Sequence, residues 1–306
     1  MIAVAGEALI DLVVDRSGAV TAVPGGGPFN AARTVSRLGG QAMFLGRLSR
    51  DAFGMRLRET LAADGVRLGV AEAVSFPTTL AVATIGEDGA ASYCFYLDGT
   101  SASELVPDDV PRSTLDEVSA LLLGGLGLVM EPIATTLEEV VATLAGDVVV
   151  MLDPNCRPSA IRDLVAYRRR VADLIERVDV LKVSTEDITI LEPGVAPEIA
   201  AADMLARGPA AVLLTDGAGP VRVYTAADRL TVAVPAGDIV DTVGAGDAFS
   251  AAFLTWWHSG RRTRADLADA AAVSAAVDAA VTVAVLTCGV RGAVPPRPPR
   301  WQEPSR

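Results

Sequence analysis

The chain has one lysine, one histidine and three cysteines among 306 residues, and 5% of it is aromatic. Each scarcity removes a class of chemistry. With His258 as the only histidine, a zinc site of several His ligands is excluded, and so is any Ser–His or Cys–His dyad that does not use it. With Lys182 as the only lysine and no GxxxxGK[ST] pattern around it, the Walker phosphate loop is excluded as well. Cys94, Cys156 and Cys288 lie far apart with no CxxC pair, which implies a reducing compartment and no disulfide framework. Positive charge is short: 26 basic residues face 38 acidic ones, for a net charge of −12. The arginines are scattered rather than clustered, so nucleic acid is not an expected partner. The opening MIAVAGEALIDLVV carries Glu7 and Asp11 and no basic run, unlike a secretory leader. The most apolar long stretch, AAAVSAAVDAAVTVAVL at 270–286, is alanine-rich and interrupted by Asp278, and reads as a packed helix rather than a membrane span. A cytoplasmic protein without a membrane partner is expected.

What is present alternates. Apolar strand-like runs (IAVAGEALI, QAMFLGRL, SALLLGG, DVVVMLD, DVLKVS, AAVLLTDG) are separated by helix-like runs such as PFNAARTVSRLGG, with Pro at its start and paired Gly at its stop. Continuous apolar strands between helices imply an α/β fold with a mostly parallel sheet covered on both faces. One region breaks the pattern. TTLAVATIGEDGAASYCFYLDG reads as two strands joined by the turn EDGA, an antiparallel hairpin. With LVVDRSGAVTAV it predicts a small separate sheet over about 11–24 and 77–102 within a single domain spanning 1–294. The proline-rich 295–306 is expected to be an irregular tail.

The stretch DTVGAGDAFSAAFL at 241–254 sets a carboxylate at the start of a helix, behind a turn of small residues. Such a turn leaves backbone N–H groups without intrahelical partners, and with the helix dipole they form an anion site. The dinucleotide fingerprint GxGxxG is matched at Gly244 and Gly246, but Phe249 occupies the third glycine and no ribose-binding acid follows at the usual distance. Neither phosphate motif needs Asp247. A carboxylate beside an anion hole suits a phosphoryl group in transit, with amides stabilising developing charge and the carboxylate accepting a hydroxyl proton. Taken alone, Gly-x-Gly-Asp reads as a helix cap.

The whole string resembles the C-terminal signature of the ribokinase-like, phosphofructokinase-B family of sugar kinases. GGGPFNAARTVSRLGG at 25–40, followed by FLGRLSRDAFG, is similar to its N-terminal signature, and DPNCR (153–157), LKVSTED (181–187), LLTDG (213–217) and RGAVPP fall in family order. The resemblance covers essentially the whole chain. It implies a three-layer α/β/α sandwich with a β lid, ATP as phosphoryl donor, Mg2+, and, as in some relatives, a monovalent cation such as K+ near Asp241 and Thr242. It implies Asp247 as catalytic base, with Gly244, Ala245 and Gly246 forming the anion hole. Asp11, Gly26, Gly27, Asn30 and Arg157 match the substrate side; a carboxylate and an amide suit sugar hydroxyls, and a planar guanidinium suits a phosphate or carboxylate. Ser184, Thr215 and Gly217 match the nucleotide side. Asp187 stands where the family often has Glu, and its shorter side chain implies a water-bridged rather than direct magnesium contact.

Within the family, GGGPFN, PTTLA, FYLDGTSA and DPNCR look most like fructokinases and 2-keto-3-deoxygluconate kinases. A ketohexose such as fructose is the expected acceptor, with the acidic sugar as the alternative, for which Arg33 and Arg157 are the candidate cations; ribose and nucleosides stay open. A non-catalytic sugar-binding relative and, from another class, an NAD-binding oxidoreductase are the competing functions. The β surface of the lid often pairs in family dimers, so a homodimer is a further expectation.

Overall fold

The computed structural model describes residues 1–85, 91–144 and 146–296. The expected turn EDGA and residues 297–306 of the tail lie outside them. Nine strands form the main sheet in the order β13 (Arg229–Val232), β12 (Gly219–Thr225), β11 (Ala211–Asp216), β10 (Val180–Ser184), β9 (Val149–Asp153), β8 (Ala120–Gly124), β1 (Ile2–Ala5), β4 (Ala42–Leu45) and β5 (Arg67–Leu68). All neighbours from β11 to β5 run parallel, and β11–β12 and β12–β13 are antiparallel. The antiparallel edge had no counterpart in the sequence pattern.

Side chains alternate between the two faces of these strands, and both faces are buried. Ile2, Val4, Phe44, Leu122, Met151 and Leu213 meet helices α1 (Gly27–Arg37), α2 (Ala52–Ala63), α8 (Ala245–Ser259) and α9 (Ala270–Cys288). Ala3, Met43, Leu121, Leu123, Val150 and Leu181 meet α4 (Ile133–Thr143), α5 (Leu164–Ile175), α6 (Thr185–Leu191) and α7 (Pro197–Ala206), with the short α3 (Arg112–Leu115) at the margin. Three layers result, as the alternating pattern requires. Helix α9 is long and apolar enough to cross a membrane by length and composition. Its Val273, Ala276, Val277, Ala280 and Val281 are instead buried in the core, where the helix packs along α8.

A second sheet has the order β3 (Val20–Gly25), β2 (Leu9–Val14), β6 (Leu80–Ile85), β7 (Ala91–Tyr96). The β2–β3 and β6–β7 pairs are antiparallel, and β2 and β6 join them in parallel. The run IAVAGEALI, expected to be one strand, is two: it breaks at Gly6, with φ 147°, so that β1 enters the main sheet and β2 the small one. The break turns Glu7 into the interior.

Candidate active site

The chain reverses direction across the main sheet at β1, whose neighbours are β4 on one side and β8 on the other. In open α/β sheets such a switch point leaves a crevice at the carboxyl ends of the strands. Here a cleft of about 270 Å3 occupies it. The inner face of the second sheet covers it with Leu9, Asp11, Ala81, Tyr93 and Phe95, and its floor includes Asn30, Asn155 and Asp247.

Asp247 lies in the first turn of α8 and is partly buried. Asn30 Nδ2 donates to its Oδ2 at 3.0 Å, and Asn155 Nδ2 reaches its Oδ1 at 3.4 Å. Two amides thus fix the carboxylate from opposite sides of the chain, α1 and the loop after β9. Burial pushes its pKa up to about 6; the Asn30 bond, Arg157 and Lys182 oppose the rise, and negative Asp153 adds to it.

Gly244 caps α8 with φ 80°, a left-handed conformation open to glycine, and no side chain bonds the helix start. The Ala245 amide donates to Thr242 O at 3.3 Å. The amides of Gly246 and Asp247 have no acceptor among the described residues, which leaves two helix-start donors free. The dinucleotide reading also fails here on geometry: the residues before Gly244 are irregular from 233 to 243, whereas that motif needs a strand feeding the turn.

On the substrate side, Asp11 is partly buried beside Gly25, where a Cβ would fall 2.0 Å from Asp11 Oδ2. Burial and the charge of Asp247 raise the Asp11 pKa to about 6, opposed by Arg157. Asn30 is buried and its Oδ1 has no partner among the described residues. A buried acceptor left open beside a cleft matches a ligand hydroxyl. Gly26, with φ 106°, and Gly27 line the cleft, and the Gly27 amide donates to Glu7 Oε1 at 3.1 Å. The Arg157 side chain is exposed at the cleft and forms no ion pair among the described residues. Arg33, the other candidate cation, is bound to Asp64 at 2.8 Å and is not at the cleft.

The nucleotide-side candidates form a separate group. Ser184 and Thr215 are cross-strand neighbours at the ends of β10 and β11, and Gly217 follows in a turn with φ 51°. The water-bridged magnesium contact expected at Asp187 meets a different arrangement. Asp187 and Ser184 form a reciprocal helix cap: Oδ2 accepts from Ser184 N and Oγ, each at 2.8 Å, and Oδ1 accepts from Cys156 N at 2.7 Å. Both carboxylate oxygens accept from protein donors, and the residue is buried. Asp241 is engaged in the same way, by the amides of Val243 and Gly292.

Several residues of this region were not singled out from the sequence as site residues. Glu7 accepts from the amides of Gly27 and Gly127 at 3.1 and 3.0 Å, and burial raises its pKa to about 7 against those bonds. Beneath α8, Lys182 Nζ meets Asp153 at 3.1 Å, and Ser250 Oγ donates to the same carboxylate at 2.9 Å. His258 sits at the other end of α8, in contact with Ser119, away from this chemistry.

An α/β/α sandwich with a carboxylate and free amides at one helix start, facing a polar cleft, is the architecture of a phosphoryl-transfer enzyme acting on a hydroxyl. The chain belongs to the pfkB family of carbohydrate kinases, whose model matches residues 1–300. It is 33% identical to a fructokinase of Rhizobium leguminosarum bv. trifolii over 258 residues, covering 83% of this chain and 78% of that one. It is 32% identical to a probable fructokinase-5 of Arabidopsis thaliana over 260 residues, covering 81% and 80%. Among solved structures, fructokinase with bound ATP from Xylella fastidiosa superposes with a TM-score of 0.86 at 26% identity, covering 95% of this chain and 93% of that one. A fructokinase double mutant of Vibrio cholerae O395, bound to fructose, ADP and potassium ion, gives 0.82 at 25% identity, covering 95% and 93%. The chain is therefore a sugar phosphotransferase with a ribokinase-like fold, and the oxidoreductase reading falls away.

Proposed function

We propose that the protein transfers the γ-phosphoryl group of ATP to a primary hydroxyl of a ketohexose, fructose in the first place, with Asp247 as general base. One observation carries this reading: the Asp247 carboxylate is held by Asn30 and Asn155 where the cleft meets the unspent amides of Gly246 and Asp247. The sugar lies in the cleft. Asp11 accepts from its hydroxyls, and Asn30 Oδ1, otherwise unpaired, accepts a hydrogen bond from another. Asp247 removes the proton of the attacking hydroxyl, and the amides at the start of α8 stabilise charge on the transferred group. Gly244 supplies the turn and Gly26 and Gly27 the close approach of backbone to sugar. The small sheet of β3, β2, β6 and β7 acts as a lid, with Tyr93 and Phe95 excluding the water that would otherwise take the phosphoryl group.

Ser184, Thr215 and Gly217 are the nucleotide side of this proposal. Magnesium would neutralise charge on the ATP phosphates. Among the described residues there is no cluster of three or more His, Cys, Asp or Glu suited to a metal. Asp241 braces the loop before α8, and a dependence on K+ is read by exchanging it for Na+. The exposed Val20 and Tyr96 of the lid give a second copy an apolar surface, and light scattering of the purified protein tests that dimer.

The exposed Arg157 guanidinium supports a second acceptor, 2-keto-3-deoxygluconate, whose carboxylate it would pair. The test is ATP consumption with magnesium against fructose, 2-keto-3-deoxygluconate, ribose, tagatose and adenosine, beside an Asp247→Asn control. Turnover on fructose that vanishes in the control is the expected result. Turnover on the acidic sugar alone would transfer the assignment to it, and no turnover with sugar binding intact would make the protein a binding relative.

A further inference from the structure

All basic residues but one are arginines, and the exception, Lys182, is buried in the apolar strand β10. Its Nζ bonds Asp153 at 3.1 Å and lies 3.3 Å from where a Cβ of Gly246 would stand. The ammonium is thus lodged directly under the anion hole. Asp153 in turn accepts from Ser250, three residues beyond Asp247 on α8, and begins the loop that brings Asn155 to Asp247. A buried ion pair is a poor device for stability, because desolvation consumes most of its Coulombic gain. In a dry site, however, a fixed positive charge acts strongly on charge developing a few ångströms away. A planar guanidinium is bulkier than an ammonium and has less room beneath Gly246.

We propose that Lys182 is a positioning residue of the phosphoryl-transfer site, whose charge reinforces the anion hole from below and helps to keep Asp247 ionised. This rests on the kinase reading with Asp247 as base. The charged groups acting on Asp247 are Asp153 and Arg157 around the end of β9 and Lys182 on β10, and Asp247 in turn acts on Glu7 in the turn after β1 and on Asp11 on β2. Asp187 on α6 acts on Lys182 in addition. Among these, Lys182 is the only buried cation.

The experiment compares wild type, Lys182→Met and the double variant Asp153→Asn with Lys182→Met, using fructose and ATP with magnesium across pH 5–9. In Lys182→Met, kcat falls about tenfold or more, the fructose KM is unchanged, and the acidic limb of the rate profile moves up by about one pH unit. If Asp153 without its partner prevents folding of the single variant, the double variant carries the test, since it leaves no uncompensated buried charge. Its kcat at pH 8 stays at least about tenfold low. Wild-type kcat in the double variant, or a single variant with wild-type kcat and acidic limb, would reduce Lys182 to a counter-ion of Asp153 and overturn the proposal. Failure of wild type on every sugar, or full activity of Asp247→Asn, would strike the kinase reading instead.

Discussion

Asn30 Nδ2 donates to Asp247 Oδ2 at 3.0 Å, a bond that ties the first helix of the chain to the eighth across 217 positions. It does two things at once: it aims the carboxylate at the cleft and it favours the ionised form. The expected outcome of Asn30→Ala is a loss of about one to two orders of magnitude in kcat/KM, with the acidic limb moved upward. Stability is not expected to suffer much, because the change also removes the unpaired buried Oδ1. Rate profiles from pH 5 to 9 and a thermal melt check both halves.

Asp247 and Asp11 each have a pKa raised to about 6, burial being the main cause for both, and the charge of Asp247 adds to the rise at Asp11. In the proposed mechanism both must be ionised, one to accept a proton and one to accept from sugar hydroxyls, so kcat/KM is expected to fall as pH drops through about 6. Because the two interact, the loss spans two protonation steps rather than one. Stability runs the opposite way. A carboxyl whose folded pKa exceeds its unfolded value stabilises the fold fully only below the unfolded value, and that contribution is lost as pH rises through the folded one. Asp247→Asn is therefore expected to lower the rate by about two to four orders of magnitude yet raise the melting midpoint. The gain should be larger at pH 8 than at pH 5 (differential scanning fluorimetry at the two pH values measures it).

The alternation of apolar strands and helices was legible because both faces of the main sheet are buried, which leaves continuous apolar runs such as SALLLGG. The free amides at the start of α8 were legible for a related reason: they require small residues, and Gly244 to Gly246 are small. Glu7 was not, since nothing in IAVAGEALI signals that Gly6 breaks the strand and turns an acid inward. Lys182 left one signal, a lone cation in an apolar strand, but its partner Asp153 is 29 residues away and only the sheet brings them together. Ser184-x-x-Asp187 has the three-residue spacing of a reciprocal cap, a local arrangement that the sequence reading of Asp187 as a metal-side residue passed over. Strands β12 and β13 escaped notice because an antiparallel edge such as GPVRVYT mixes polar and apolar residues without the continuous run of an interior strand.

Gly25 sits where a side chain would collide with Asp11: its Cβ would lie 2.0 Å from Oδ2. Gly25→Ala is therefore expected to displace that carboxylate from the cleft while leaving Asp247 and the anion hole in place. Losing a hydrogen bond to a charged group at this end of the sugar predicts a rise of about tenfold in sugar KM, with kcat and the KM for ATP less affected. Steady-state kinetics with each substrate varied in turn decide it. A fall in kcat without a change in sugar KM would mean that Asp11 is not a sugar ligand.

Arg157 separates the two acceptors. Its guanidinium stands exposed at the cleft with no ion-pair partner among the described residues, and its charge lowers the pKa of both Asp11 and Asp247. Arg157→Gln removes the charge but keeps hydrogen-bonding capacity, so its effect on a neutral ketohexose works mainly through those two acids. At pH 8, where both are ionised with or without the arginine, kcat/KM for fructose is expected to change by less than about tenfold. Near pH 6 the same variant loses more, because the acidic limb has moved up. For 2-keto-3-deoxygluconate the loss is expected at both pH values and to reach about a hundredfold, the scale of a charge-assisted pair with a carboxylate. Measuring both sugars at both pH values therefore distinguishes a guanidinium that tunes neighbouring acids from one that holds the substrate itself.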